Sequence, residues 1–215
     1  MRQTVGHAVR LRAASRFGVP LSVWRAMLVI ADFDDASRAG VPPIPHSFQT
    51  AETLRNAGAP DWMQLVGLVH RLGCVLAYVG GVDADGTSTA AQWSLTGETR
   101  VLIGGTTRAG LDGAIISYDQ GEYLFNVLRE SRGVRLPPVA LRVLRYQALA
   151  AWHTRGTYAD LENDEDRAAR PYARQLAECA RYDEPWRSVD AAGAAALRAY
   201  YGALVRRFLP KQLLW

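Results

Sequence analysis

Lysine is all but missing from this chain: Lys211 is the only one among 25 basic residues, so arginine carries the rest. Set against 21 acidic residues, the net charge is only +4. A bias of this kind reads as a GC-rich coding background rather than a nucleic-acid surface, and no nucleic-acid partner is expected. Long apolar runs are missing as well. The best candidate, Leu21 to Ala31, is interrupted by Arg25 and falls short of the roughly 18 to 20 residues a membrane span needs, so no membrane partner is expected. The two cysteines, Cys74 and Cys179, have no CxxC spacing and no secretory leader beside them. Free thiols in a reducing cytosol, and hence a cytoplasmic protein, are the expectation. There is no internal repeat and no low-complexity linker, which argues for one domain.

The chain does have enough apolar material for one sizeable core, with 49% hydrophobic and 21% charged residues over 215 positions. Five arginines (Arg2, Arg10, Arg12, Arg16, Arg25) and no acid fall in residues 1 to 25. Residues 1–20 are read as a basic leader packed on a single domain over 21–215. Apolar residues at three- and four-residue spacing predict helices over Leu21 to Ala31, Trp62 to Val79, Ile115 to Leu128, Val139 to Ala150 and Ala194 to Leu209. Asp61 with Gln64 predicts a helix cap, and Pro137-Pro138 a helix entry. Gly80 to Gly113 reads as an insertion between helices, with a small hairpin made from Gln92 to Thr96 and Arg100 to Ile103. The architecture is predicted to be all-α.

Leu68-Val69-His70-Arg71-Leu72-Gly73 carries a histidine followed by an arginine. His-Asp on adjacent residues is the signature of the HD superfamily of metal-dependent enzymes, and this stretch has the break at its second member. The context extends to Pro45 through Glu52, Asp61 through His70, Gln92-Trp93, Gly97-Glu98-Thr99, Gly110-Leu111-Asp112, Glu122-Tyr123-Leu124, Arg145-Tyr146, Trp152-His153 and Tyr200-Tyr201 through Trp215. In order and spacing, residues 24 to 215 resemble the myo-inositol oxygenase family. That resemblance implies an all-helical HD-domain bundle with a small β-hairpin insertion. In that family a di-iron centre held by four histidines and two aspartates binds myo-inositol and activates dioxygen.

Placed on those six positions, the chain keeps His46 and His70 and puts Arg71, Gln120, Gln147 and Ala180 at the others. A guanidinium cannot ligate a metal, and an amide is a weak neutral ligand. A cation at Arg71 also repels a metal ion, by about 4 kcal/mol per pair of unit charges at about 4 Å in an effective dielectric of about 20, and twice that for a divalent ion. Groups that would contact the substrate are changed too: Cys74, Ala148 and Glu184 stand where the resemblance implies lysine, serine and lysine. No metal and no cofactor are therefore expected.

Two readings stand for His46 and His70: hydrogen-bonded remnants of a closed core, or an acid/base pair in a reused cavity. Arg71 needs an anion facing it, either a protein carboxylate such as Asp119 or Glu122, or a carboxylate, enolate or phosphate of a substrate. Asp119, one residue before Gln120, is a register-shifted metal ligand only if the helix turns by about 100°. Gln120 and Gln147 keep the cavity polar where decay would leave apolar residues. Gly97, Glu98 and Thr99, with Tyr123 and Tyr146, are the candidate substrate-binding residues, while His153 reads as a hydrogen-bonded core histidine. The expected function is metal-independent and non-oxidative: a cyclisation or isomerisation of a small, secondary-metabolic substrate catalysed by His46, His70, Arg71, Gln120 and Gln147. The rivals are a non-catalytic pseudoenzyme that binds a ligand or partner, and an iron-dependent oxygenase with a rebuilt site.

Overall fold

Three prolines, Pro42, Pro43 and Pro45, open the helix that carries His46. The first turn of a helix has no intrahelical partners for its N–H groups, so residues without an N–H cost nothing there. The computed structural model describes residues 5–6, 8–9, 18–31, 42–79, 98–181 and 191–215. Within them the chain forms β1 (Pro20–Leu21), α1 (Val23–Val29), α2 (Pro43–Asn56), α3 (Asp61–Val69), a 3-10 turn (Leu72–Val75) and α4 (Leu76–Val79). It continues through β2 (Val101–Ile103), β3 (Ile115–Ile116), α5 (Gln120–Glu130), α6 (Pro138–Tyr146), α7 (Ala150–His153), α8 (Asp164–Cys179), α9 (Ala191–Phe208) and β4 (Leu213–Leu214). This is an all-α bundle with two minute antiparallel ribbons. No described helix is long and apolar enough to cross a membrane.

The middle of the bundle is α3, on which every residue from Met63 to Val69 is buried. A helix that is apolar all round must be enclosed on all sides, and α2, α6 and α9 supply those walls. The crossing with α2 is close: a Cβ on Gly67 would lie 2.7 Å from Leu54 Cδ1 and 3.0 Å from Ala51 Cα. The two ends of the described core meet where β1 pairs with β4, Leu21 opposite Leu213. The indole of Trp215 is wholly buried there and donates to the Leu21 carbonyl at 3.2 Å.

Several sequence expectations are corrected in detail. The helix expected over Trp62 to Val79 stops at Val69, and His70-Arg71 lead into the 3-10 turn. The reason is packing: a Cβ on Gly73 would come within 1.9 Å of the Gln120 carbonyl oxygen, so the turn is pressed against the backbone that opens α5. The helix expected from Ile115 begins only at Gln120. Ile115 and Ile116 are instead β-branched partners of Val101–Ile103, while Asp119 caps the helix. The hairpin therefore joins β2 to a strand downstream, and the expected partner over Gln92 to Thr96 lies outside the described residues. Pro60, not Asp61, occupies the N-cap of α3; Asp61 accepts from Arg207 at 2.5 Å and Gln64 donates to the Ala59 carbonyl at 2.8 Å. The entry at Pro137-Pro138 is as expected. Two long helices escaped the periodicity reading: α2, opened by its prolines, and α8, opened by a capping box between Asn163 and Asp166.

Candidate functional site

His46 comes from the first turns of α2 and His70 from the C-terminal cap of α3. Their rings meet edge to face with centroids 5.2 Å apart, and both residues are buried. The Nδ1 of His70 lies 2.6 Å from the Gly67 carbonyl oxygen, which can only accept, so Nδ1 carries a proton. In the neutral ring Nε2 is then the basic nitrogen. Arg71, the next residue, is 2% exposed.

The two glutamines are drawn into the same region but spend their amides on the protein. Gln147 donates from Nε2 to the carbonyls of His70 and Leu144, at 3.0 Å each. The oxygen of Gln120 accepts from the Cys74 thiol at 3.1 Å. Ala180, the C-cap of α8, offers no donor atom.

The ion pair expected between Arg71 and Asp119 or Glu122 is not among those of the described residues, and the geometry shows why. Glu122, at the start of α5, receives both arms of Arg145 from the end of α6, at 2.5 and 3.0 Å. Each charge lies at the helix end whose dipole favours it. Asp119 is the N-cap, accepting from the Glu122 amide at 2.9 Å and from the Thr99 hydroxyl. Burial pushes its carboxyl up to about 6 against the pull of those two hydrogen bonds. A capping aspartate of this kind is not a register-shifted ligand.

The candidate substrate-binding residues separate. Gly97 lies outside the described residues. Thr99 is buried, held by Asp119 and, through its own N–H, by the Ala148 carbonyl at 2.8 Å. Tyr123 packs beside Trp215, and the Tyr146 hydroxyl donates to Asp112 at 2.7 Å, so these two sit in the frame of the bundle. Glu98 instead lines a pocket of about 410 Å3 with Gln147 and His153. That volume suits a small molecule.

His153 is buried and hydrogen-bonded as expected, and it also lines this pocket. Its Nε2 donates to the Gln147 carbonyl at 3.0 Å, which leaves Nδ1 to accept from the Thr154 hydroxyl at 3.1 Å. Burial lowers its pKa, which favours the neutral ring. Three residues of α8, Arg174, Ala177 and Glu178, form the facing wall with Arg181, which lies just past the C-cap Ala180. The spacing of Arg174, Ala177 and Glu178 by three and one puts those three on a single helical face, a signal present in the sequence once α8 is recognised.

Comparison with known proteins places this geometry. The sequence model described as myo-inositol oxygenase matches residues 1–108 and 104–215. The chain belongs to the myo-inositol oxygenase family. Among its relatives, the inositol oxygenase of Bos taurus is 30% identical over 201 residues, covering 79% of this chain and 66% of that protein. The probable inositol oxygenase of Oryza sativa subsp. japonica is 26% identical, covering 91% and 70%. The inositol oxygenase of Rattus norvegicus is 28% identical, covering 99% and 82%. The chain thus spans just under two thirds of the length of the bovine relative.

Membership makes the donor set a sharp question. At the six ligand positions implied by the resemblance stand two imidazoles, a buried guanidinium, two amides engaged with Cys74, His70 and Leu144, and an alanine. Among the described residues no three of His, Cys, Asp and Glu gather where they could hold a metal. Two imidazoles beside a guanidinium do not fit a di-iron centre, on the chemistry of the donors themselves.

Proposed function

We propose that this member of the myo-inositol oxygenase family moves protons without a metal, isomerising or cyclising a small polyhydroxylated carbonyl compound of the inositol type. The observation that carries the reading is the buried edge-to-face contact of His46 and His70 with Arg71 adjoining. A neutral His70 whose Nδ1 proton is fixed on Gly67 offers Nε2 as a base. It takes the proton from the carbon next to the substrate carbonyl, and the electron pair of that C–H bond becomes an enolate. Arg71 stabilises the developing oxyanion, and a protonated His46 returns a proton at the second centre. No electrons leave the substrate, so no oxidant enters. Gln147 acts through the His70 carbonyl and Gln120 through Cys74, both as positioning residues. The pocket lined by Glu98, Gln147 and His153 adjoins this site through Gln147, whose amide bonds the His70 carbonyl, and serves on this reading as the way in. A secondary-metabolic role in the cytoplasm goes with this reading.

The test is solvent exchange. The protein in D2O with a cyclic hydroxyketone should place deuterium at the carbon beside the carbonyl, by NMR, and His70→Ala and Arg71→Ala should each slow this at least a hundredfold. Exchange that survives both substitutions overturns the proposal. A specific observation favours the pseudoenzyme rival: the amides of Gln120 and Gln147 and the hydroxyl of Tyr146 are all turned to internal partners. On that reading the pocket binds a ligand and no exchange occurs. The names of the relatives point instead to an oxygenase; stoichiometric iron or manganese in the purified protein would establish that reading and end the metal-free one.

A further inference from the structure

The pocket between α7 and α8 carries a charge pattern that the proposed chemistry does not use. Its acids are answered from within the protein: Glu98 pairs with Arg155, and Glu178 with Arg174 at 3.0 Å. The histidine on its wall has both ring nitrogens engaged. Arg181 remains, exposed at the end of α8, and no carboxylate among the described residues pairs with it. Ala148, Ala150 and Ala177 leave the space between the walls open and mildly apolar. Such surface suits the face of a saturated ring, while the polar groups around it suit hydroxyls.

We infer that this pocket takes a polyhydroxylated ring bearing one anionic group, a phosphate or a carboxylate, with that group held by Arg181 beside Arg174. The planar guanidinium fork matches either anion in two-pronged fashion, whereas a neutral polyol leaves it unanswered. The inference names a substrate class for the proposed reading and rests on that reading only in taking the pocket as the way to His70; binding itself does not need it.

Calorimetry on the full chain decides the matter, with four probes: myo-inositol 1-phosphate, quinate, neutral myo-inositol and inorganic phosphate. One or both anionic rings should bind at least tenfold more tightly than myo-inositol, and which of them does so distinguishes phosphate from carboxylate. Arg181→Ala should remove about tenfold of that preference, read as the ratio of anionic-ring affinity to myo-inositol affinity. Arg181→Gln, run alongside, keeps the length of the side chain without its charge and should behave in the same way. Equal binding of charged and neutral rings, an anionic preference untouched by both substitutions, or inorganic phosphate binding as tightly as the anionic rings overturns the inference. The two failures are distinguishable. Absence of deuterium exchange with Arg181-dependent binding intact defeats the proton-transfer reading alone. Loss of the Arg181 dependence defeats this inference whatever the exchange assay shows.

Discussion

Asp119→Asn offers a clean test of how the mouth of α5 is built. Asparagine caps a helix as well as aspartate does, and the Thr99 hydroxyl can rotate to accept from an amide, so the substitution removes the charge and keeps the bonds. The wild-type carboxyl is pushed from 3.8 to about 6, first by burial and further by the nearby Glu122 charge, against the bonds from Thr99 and the Glu122 amide. Arg145 answers Glu122 directly, at 2.5 Å. A folded-state pKa raised above the unfolded value means that the folded protein holds this proton more tightly. The stability it contributes is complete below about 3.8 and is lost as pH rises through about 6. At about 1.4 kcal/mol per pH unit the full effect is about 3 kcal/mol, of which about 1.4 falls between pH 5 and pH 8. Asparagine has no such slope. Urea unfolding of both proteins at pH 5, 6, 7 and 8 should therefore show Asp119→Asn gaining on the wild type by about 1.4 kcal/mol across the series. All other titrations are common to both chains and cancel in the difference. A flat difference, or a variant that loses ground toward pH 8, refutes the account of Asp119 as a desolvated cap.

Gly73→Ala should cost about 3 kcal/mol or more, because its Cβ meets the backbone of Gln120 at 1.9 Å and backbone cannot step aside; a loss under about 1 kcal/mol by urea denaturation would mean that the turn is not pressed against α5. Glu122→Gln leaves the Arg145 guanidinium buried with Asp112 as its remaining carboxylate and should cost about 3 kcal/mol. Arg145→Gln added to it should cost much less than a second independent loss, and strict additivity in that double-mutant cycle would refute the pair as a coupled unit. Stability should be indifferent to metal: prolonged dialysis against a strong chelator is expected to leave the melting temperature unchanged, and a drop of several degrees would expose a structural ion that the donor set does not suggest.

Much of the bundle was legible because it rests on helix-period patterning, and α6 and α9 fall within a few residues of their expected limits. The misplaced start of α5 shows where that signal fails. Ile115 and Ile116 satisfy the helical period as readily as a strand, and only their pairing with Val101 and Ile103, through a contact distant in sequence, decides between the two. Pairing of charges was equally undetermined. Glu122 has two arginines within reach of a sequence argument, Arg71 and Arg145, and the choice of Arg145 follows from α5 and α6 meeting end against end. The encounter of His46 with His70 follows from the family resemblance, whereas the destinations of the Gln120 and Gln147 amides depend on ångström-scale geometry that residue types do not specify.

Those destinations bear on what the substitutions achieved. Ligands on separate helices bound to one metal cross-link those helices, and removing the metal removes the link. Here the Cys74 thiol bonds Gln120 across from the 3-10 turn to α5, and Gln147 bonds the His70 carbonyl across from α6 to the end of α3. These bonds join the segments that carry the family's ligand positions. On the proposed metal-free reading, the amides take over the mechanical role of a metal. Restoring histidine at 120 and 147 would cut both links while Arg71 still repelled a cation, so each single step back toward a metal site loses stability before any affinity is gained. On the proposed metal-free reading, that barrier holds Arg71, Gln120 and Gln147 together as a set.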